Sequence, residues 1–163
     1  MRVSLSLLCL VFFLQQLVKA NSLVFEKREV YFVRINVPSN KSDKRSGVNK
    51  VKLKVEVADT PDKHARGLMF RNHLGENEGM LFIFPTEETR NFWMKNTFVP
   101  LSIAFVSADF KVVDIQDMQP SSSIMVVFPS TAESKHPAKF AVEANLGWFN
   151  KNKIQIGDVL DFK

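Results

Sequence analysis

From Val51 to Val57 the chain alternates without a break: Val51, Leu53, Val55 and Val57 are apolar, while Lys52, Lys54 and Glu56 are charged. Only an extended strand sorts such residues onto two opposite faces, one for a core and one for water. A helix would scatter the three charges around its circumference. The chain must therefore build a sheet with a covered face, and the remaining sequence has to supply its partner strands. Residues 30–37, VYFVRINV, alternate well enough for the strand before, with Tyr31, Val33, Ile35 and Val37 on one face. Between the two lies PSNKSDKRSGVN, a turn-rich, charged stretch that reads as a long hairpin loop.

After Val57 comes ADTPDKHARGLMFR. Thr60 can cap a helix, Pro61 suits its first position, and Asp62 suits its positive end. Asp62 and Arg66 stand one turn apart and can pair, and Gly67 can end the helix in a left-handed conformation. A short helix near residues 60–66 follows, delivering Leu68, Met69 and Phe70 to the core. GMLFIFP, residues 79–85, is a strand covered on both faces and stopped by proline. FWMKNTF and the alternating Leu101, Ile103 and Phe105 add strands to a hairpin-like block over 90–115. Its turn is Ser107-Ala108-Asp109, and Val112, Val113 and Ile115 lie on the return. Residues 119–137 read as loop, 138–145 as a strand, 146–152 as a helical turn, and 154–161 as a turn and closing strand. The fold class predicted is mainly β: a compact antiparallel β barrel or sandwich with one short helix, without repeats or a second domain. Its single core would contain Val55, Leu68, Met80, Phe82, Phe84, Phe92, Ile103, Phe105 and Val142.

The first twenty residues have the form of an export signal: Arg2, an apolar stretch from Val3 to Leu14, then Val18-Lys19-Ala20. The apolar stretch is too short for a comfortable transmembrane helix. Cleavage after Ala20 would leave residues 21–163 as one β-rich domain, periplasmic or extracellular. It would also remove Cys9, the only cysteine, and with it disulfides, thiolate metal sites and a cysteine nucleophile. The formal charge of +5 would drop to +3, since Arg2 and Lys19 leave and no acid does. Basic residues are densest between Lys41 and Lys54, a solvated loop and strand face; no nucleic-acid motif accompanies them, and no nucleic-acid partner is expected.

Complete catalytic signatures are missing. No G-x-S-x-G elbow accompanies the serines. His64, His73 and His136 have no metal-ligand spacing, and Asp109, Asp114 and Asp117 do not follow a calcium loop; no cofactor or metal is implied. Glu78 and Glu143 each adjoin apolar residues that could raise a carboxyl pKa, so a hydrolase using Glu143 or Glu78 with Lys95 stays open. The strongest constellation is Trp93, Lys95, Asn96, Glu143, Asn145 and Trp148. Indole faces stack on rings, while lysine and asparagine hydrogen-bond hydroxyls, carboxylates or phosphates. Lys95 and Asn96 interrupt an otherwise apolar block where a plain core strand would carry neither. The alternative is that both tryptophans are core and Asn96 caps a turn. The leading functional expectation is a ligand-binding module for a glycan or other polar small molecule; a structural or assembly partner is the third reading.

From about Val51 onward the chain resembles the bacterial and archaeal family catalogued as domain of unknown function 192. The matching blocks, in order, are VEVADTPDKHARGLMFR, EGMLFIFP, FWMKNTFVPLSIAF, VVDIQDMQP and AVEANLGWF…IGD. The resemblance implies a compact β-rich fold and frequent export, and it implies no settled activity. The family usually carries an acidic residue at the position of Ser102, a glycine at that of Phe110, and in many members cysteines where this chain has Ser121–Ser123.

Overall fold

The computed structural model describes residues 23–36, 47–120 and 130–162. The export signal over 1–20, most of the loop expected over 38–49, Ser121–Ser123 and the apolar piece Ile124–Phe128 lie outside them. Among the described residues nine strands form: β1 (Glu26–Asn36), β2 (Gly47–Ala58), β3 (Glu78–Glu88), β4 (Asn91–Trp93), β5 (Leu101–Val106), β6 (Val112–Met118), β7 (Thr131–Glu133), β8 (Ala138–Asn145) and β9 (Val159–Phe162). Two short helices accompany them among the described residues, α1 (Pro61–Arg66) and α2 (Trp148–Lys151). The fold is mainly β, as expected.

Seven strands make one sheet in the order β6-β5-β8-β3-β2-β1-β9, and β4 pairs separately with β7. Every pairing is antiparallel except β2 with β3. A parallel pair needs a crossover, and residues 59–77 provide it with α1. Thr60 caps α1 by accepting from the Lys63 amide, and Gly67 closes it at φ +46°. The ion pair on this helix is Lys63 with Asp59 at 2.7 Å, not the expected Asp62 with Arg66. The sheet curls, and its edges approach at one end. Val112 N donates to Asp158 O and Leu160 N to Phe110 O, each at 2.8 Å. They do not close into a barrel.

The expected single core is two clusters, one on each side of the sheet. Inside the curl lie Val30, Phe32, Leu53, Val55, Leu81, Val142, Trp148, Phe149 and Leu160, among others. On the outer side Met80, Phe82, Leu101, Ile103, Phe105 and Ala141 are covered by Leu68, Leu74, Met94, Val99 and Ala132 from the connecting segments. Burying apolar area on both sides is what makes β3, β5 and β8 read as continuous apolar runs.

Three local expectations need correction. The buried face of β1 carries Val30 and Phe32, not Tyr31 and Val33. Val30 pairs with Leu53 and Phe32 with Val51, so β2, whose faces are unambiguous, decides which side of β1 turns inward. β3 is not stopped by Pro85: it continues to Glu88 across a register shift, where a residue with no N–H to donate to the ladder is tolerated. The FWMKNTF strand ends at Trp93, and β4 pairs with β7 rather than with β5. The hairpin in this block is therefore β5–β6 alone.

Candidate functional site

Strand register places the candidate groups. Partners across a sheet share a face, and the pairs Lys27–Glu56, Glu56–Met80, Met80–Glu143, Glu143–Ile103 and Ile103–Gln116 run across five adjacent pairings. They form one row on the outer face. Its β3, β8 and β5 part lies beneath the second cluster, whereas the β1–β2 part is left open.

Glu143 occupies the middle of this row, between two apolar neighbours, and is 5 % exposed. No hydrogen bond or ion pair reaches its carboxyl from the described residues. Burial alone pushes its pKa from 4.5 up to about 8, because the low-dielectric surroundings disfavour the charged form. Glu143 is therefore a neutral acid at pH 7, able to donate one hydrogen bond and accept others. Gly79 is what lets β3 approach here, since a Cβ on it would stand 2.2 Å from the Glu143 carbonyl oxygen.

Asn145 shares the face of Glu143, two residues on, but its amide is engaged: Nδ2 donates to Gly75 O at 2.7 Å and to Leu74 O at 3.3 Å. Trp148 belongs to the inner cluster, buried against Phe32, with Nε1 donating to Asn77 Oδ1 at 3.1 Å. The sheet thus separates Trp148 from Trp93, and the structure does not bring the two indoles together. Glu78 lies on the outer face two residues before Met80. It is exposed, and its carboxylate accepts from the Gly75 amide at 3.1 Å. Register makes it a diagonal neighbour of Glu143.

Trp93, Lys95 and Asn96 stand on the segment that caps this face. Met94, Thr97 and Val99 turn inward, while Trp93, Lys95, Asn96 and Phe98 turn outward. Thr97 N donates to Met94 O at 3.2 Å, closing a tight turn with Lys95 and Asn96 at its tip. Asn96 has φ +53°, a conformation asparagine tolerates better than most residues. Its carbonyl accepts from the Phe70 amide at 2.7 Å. Lys95 Nζ lies 5.2 Å from the Trp93 ring centroid, within cation–π range. Lys95 has no ion pair among the described residues, and Trp93 is 51 % exposed.

Phe70, expected in the core, is 52 % exposed, and it too has positive φ, +63°. Arg66 lies over its ring, with the guanidinium carbon 4.7 Å from the centroid. Beside them opens a cleft of about 730 Å³ lined by Leu23, Phe25, Lys27, Glu56, Arg66, Gly67, Met69, Phe70 and Arg71. Arg71 is held there by Glu56, bonding to both its carboxylate oxygens. Sequence reading missed Phe70 because an apolar LMF run after a helix looks like core; the flanking Arg66 and Arg71 were the available signal.

The other polar clusters are accounted for by the fold. His64 Nε2 lies 3.0 Å from both Ala58 O and Ile83 O, tying α1 to β2 and β3. Burial would raise the buried Asp114 carboxyl, but bonds from the Gln116 side chain and from Lys135 outweigh that and hold it below its ordinary value. Ser102 is buried and bridges Asp117 and the Gly147 amide. Among the described residues no group of three or more His, Cys, Asp or Glu is placed to hold a metal ion.

The fold and this face define a small curled-sheet domain whose outer side carries a buried acid and an exposed cation–aromatic rim. The chain belongs to the family of domain of unknown function 192, described as an uncharacterized ACR, whose model matches residues 42–162. A UPF0127 protein of Pyrococcus abyssi is 28% identical over 111 residues, covering 67% of this chain and 86% of that one. A solved structure from Sinorhizobium meliloti 1021, described as a candidate transcription regulator, is 24% identical and superimposes with a TM-score of 0.69. That match covers 87% of this chain and 98% of the other; at this identity it shows the fold alone. A protein of unknown function from Novosphingobium aromaticivorans DSM 12444 is 25% identical with a TM-score of 0.65, covering 87% and 95%.

Proposed function

We propose that this domain is a binding module for a polar small molecule or glycan, acting after export in the cell envelope or outside the cell. The observation that carries it is the Lys95–Trp93 pair. A lysine and a half-exposed indole stand together at a turn tip, with no carboxylate among the described residues to occupy the ammonium. A fold-only role would favour a buried indole or an ion-paired lysine, as Trp148 and Lys63 illustrate. The export half rests on the Arg2–Ala20 sequence; among the described residues no helix is long and apolar enough to cross a membrane.

The test is an unbiased ligand screen by thermal shift on residues 21–163, wild type against Lys95→Met. A binder of the native state must raise the melting temperature. Ligands that do so only in the wild type support the reading. Ligands that shift both proteins equally place binding elsewhere.

One observation favours a second reading, a hydrolase. Glu143 is a carboxyl held neutral near pH 7, with Glu78 diagonally across the strand pair on the same face. An acid kept protonated beside a second, exposed carboxylate is the arrangement that acid–base cleavage uses. Turnover of chromogenic glycosides that survives in Glu78→Gln and Glu143→Gln would count against it.

A further inference from the structure

The Lys95–Trp93 pair has a counterpart that the binding reading leaves unused. Arg66 and Phe70 repeat it: a cation without an ion pair among the described residues, lying over a half-exposed ring. The two pairs adjoin, because the Phe70 amide donates to the Asn96 carbonyl at 2.7 Å. Both residues of that link have positive φ, +63° and +53°. For a bulky aromatic this is an uncommon and costly conformation, and such strain concentrates at binding sites. Here it presents a hydrophobic ring to water, which no gain in core packing explains. Beyond Phe70 the 730 Å³ cleft continues the surface to Phe25 and Lys27.

We propose that Arg66 and Phe70 form a second subsite, continuous through Asn96 with Trp93 and Lys95, and that the two together take an acidic oligosaccharide. The inference rests on the binding reading above and deepens it. Each subsite offers a flat apolar face for a sugar ring and a cation for a carboxylate, and two adjoining subsites suit a chain rather than a single ring. Charge argues against nucleic acid. A phosphate backbone needs many cations in a row, whereas along the cleft and the Trp93–Lys95 rim the cations without an ion pair among the described residues are Lys27, Arg66 and Lys95. Arg71 is neutralised by Glu56, whose carboxylate would face the phosphates.

The experiment titrates the domain with oligogalacturonate, with an uncharged cello-oligosaccharide of equal length and with single-stranded DNA, using wild type, Lys95→Met and Phe70→Gly. Glycine removes the ring yet accepts the backbone conformation, so Phe70→Gly should melt close to wild type. Oligogalacturonate should bind the wild type at least tenfold more tightly than the cello-oligosaccharide, and about tenfold or more weakly in each variant. If Lys95→Met loses binding and Phe70→Gly does not, the second subsite is overturned while the first reading stands. Binding as tight as wild type in both variants overturns both. No binding of oligogalacturonate, or preference for DNA, overturns the ligand class. A large drop in melting temperature for Phe70→Gly would make the ring structural and overturn the subsite.

Discussion

Glu143→Gln should change how stability depends on pH more than it changes stability itself. In the native state the Glu143 carboxyl keeps its proton up to about pH 8, whereas in the unfolded chain it loses it near its ordinary value of 4.5. Between those values the native state holds one proton more, so wild-type stability falls as pH rises through the window. The group costs nothing below the lower value, and its full penalty is reached above pH 8. The slope is about 1.4 kcal/mol per pH unit for one proton. From pH 5 to pH 8 the sum is about 4 kcal/mol, an upper figure because local rearrangement around the charged form would soften it. Glutamine has the same shape and never ionises, so the difference between the two proteins isolates this one titration. Urea unfolding at pH 5, 6, 7 and 8 measures it. Glu143→Gln should be no more stable than wild type at pH 5 and clearly more stable at pH 8. A difference that stays constant across this range would show that Glu143 is not held neutral, and the description of the buried acid would fail.

Gly79→Ala should cost about 2–4 kcal/mol by chemical denaturation, in the range of overpacking and backbone strain, because its Cβ meets the Glu143 carbonyl oxygen. An effect within error would mean that β3 and β8 are less closely set. Asp114→Ala should cost about 2–3 kcal/mol at pH 7 through loss of its bonds from Gln116 and Lys135. Since that carboxyl is held below its ordinary value, its contribution is complete above the ordinary value and is lost as pH falls from there through the lowered one; the cost of the substitution should shrink in acid unfolding curves. Intact-mass measurement of exported protein should give a chain beginning at Asn21, and recovery of full-length protein only from the cytosol would refute export.

The strands were legible where one pattern dominated. β2 has charges at every second position, and β8 was bounded residue for residue because Pro137 and the Gly147 turn punctuate it. β1 was ambiguous because Val30 and Phe32 compete with Tyr31 and Val33; only pairing to β2 breaks the tie. The parallel β2–β3 pair was present in the sequence as strand, helix, strand, the usual signature of a crossover, yet the surrounding hairpins masked it. Of the site, Glu143 stood out as an acid inside an apolar strand. Lys95 and Asn96 stood out as polar interruptions, although they interrupt a turn and not a strand. Phe70 was hidden because side-chain exposure after a helix depends on a backbone φ that an LMF run does not encode.

The most direct test of the cation–aromatic rim uses the two tryptophans, one exposed and one buried. Fluorescence titration of wild type with a ligand from the thermal-shift screen should alter emission through Trp93. In Trp93→Phe, where only the enclosed Trp148 remains, the change should vanish while the fold is retained. A signal that persists unchanged in Trp93→Phe would place the ligand away from this rim and contradict the account.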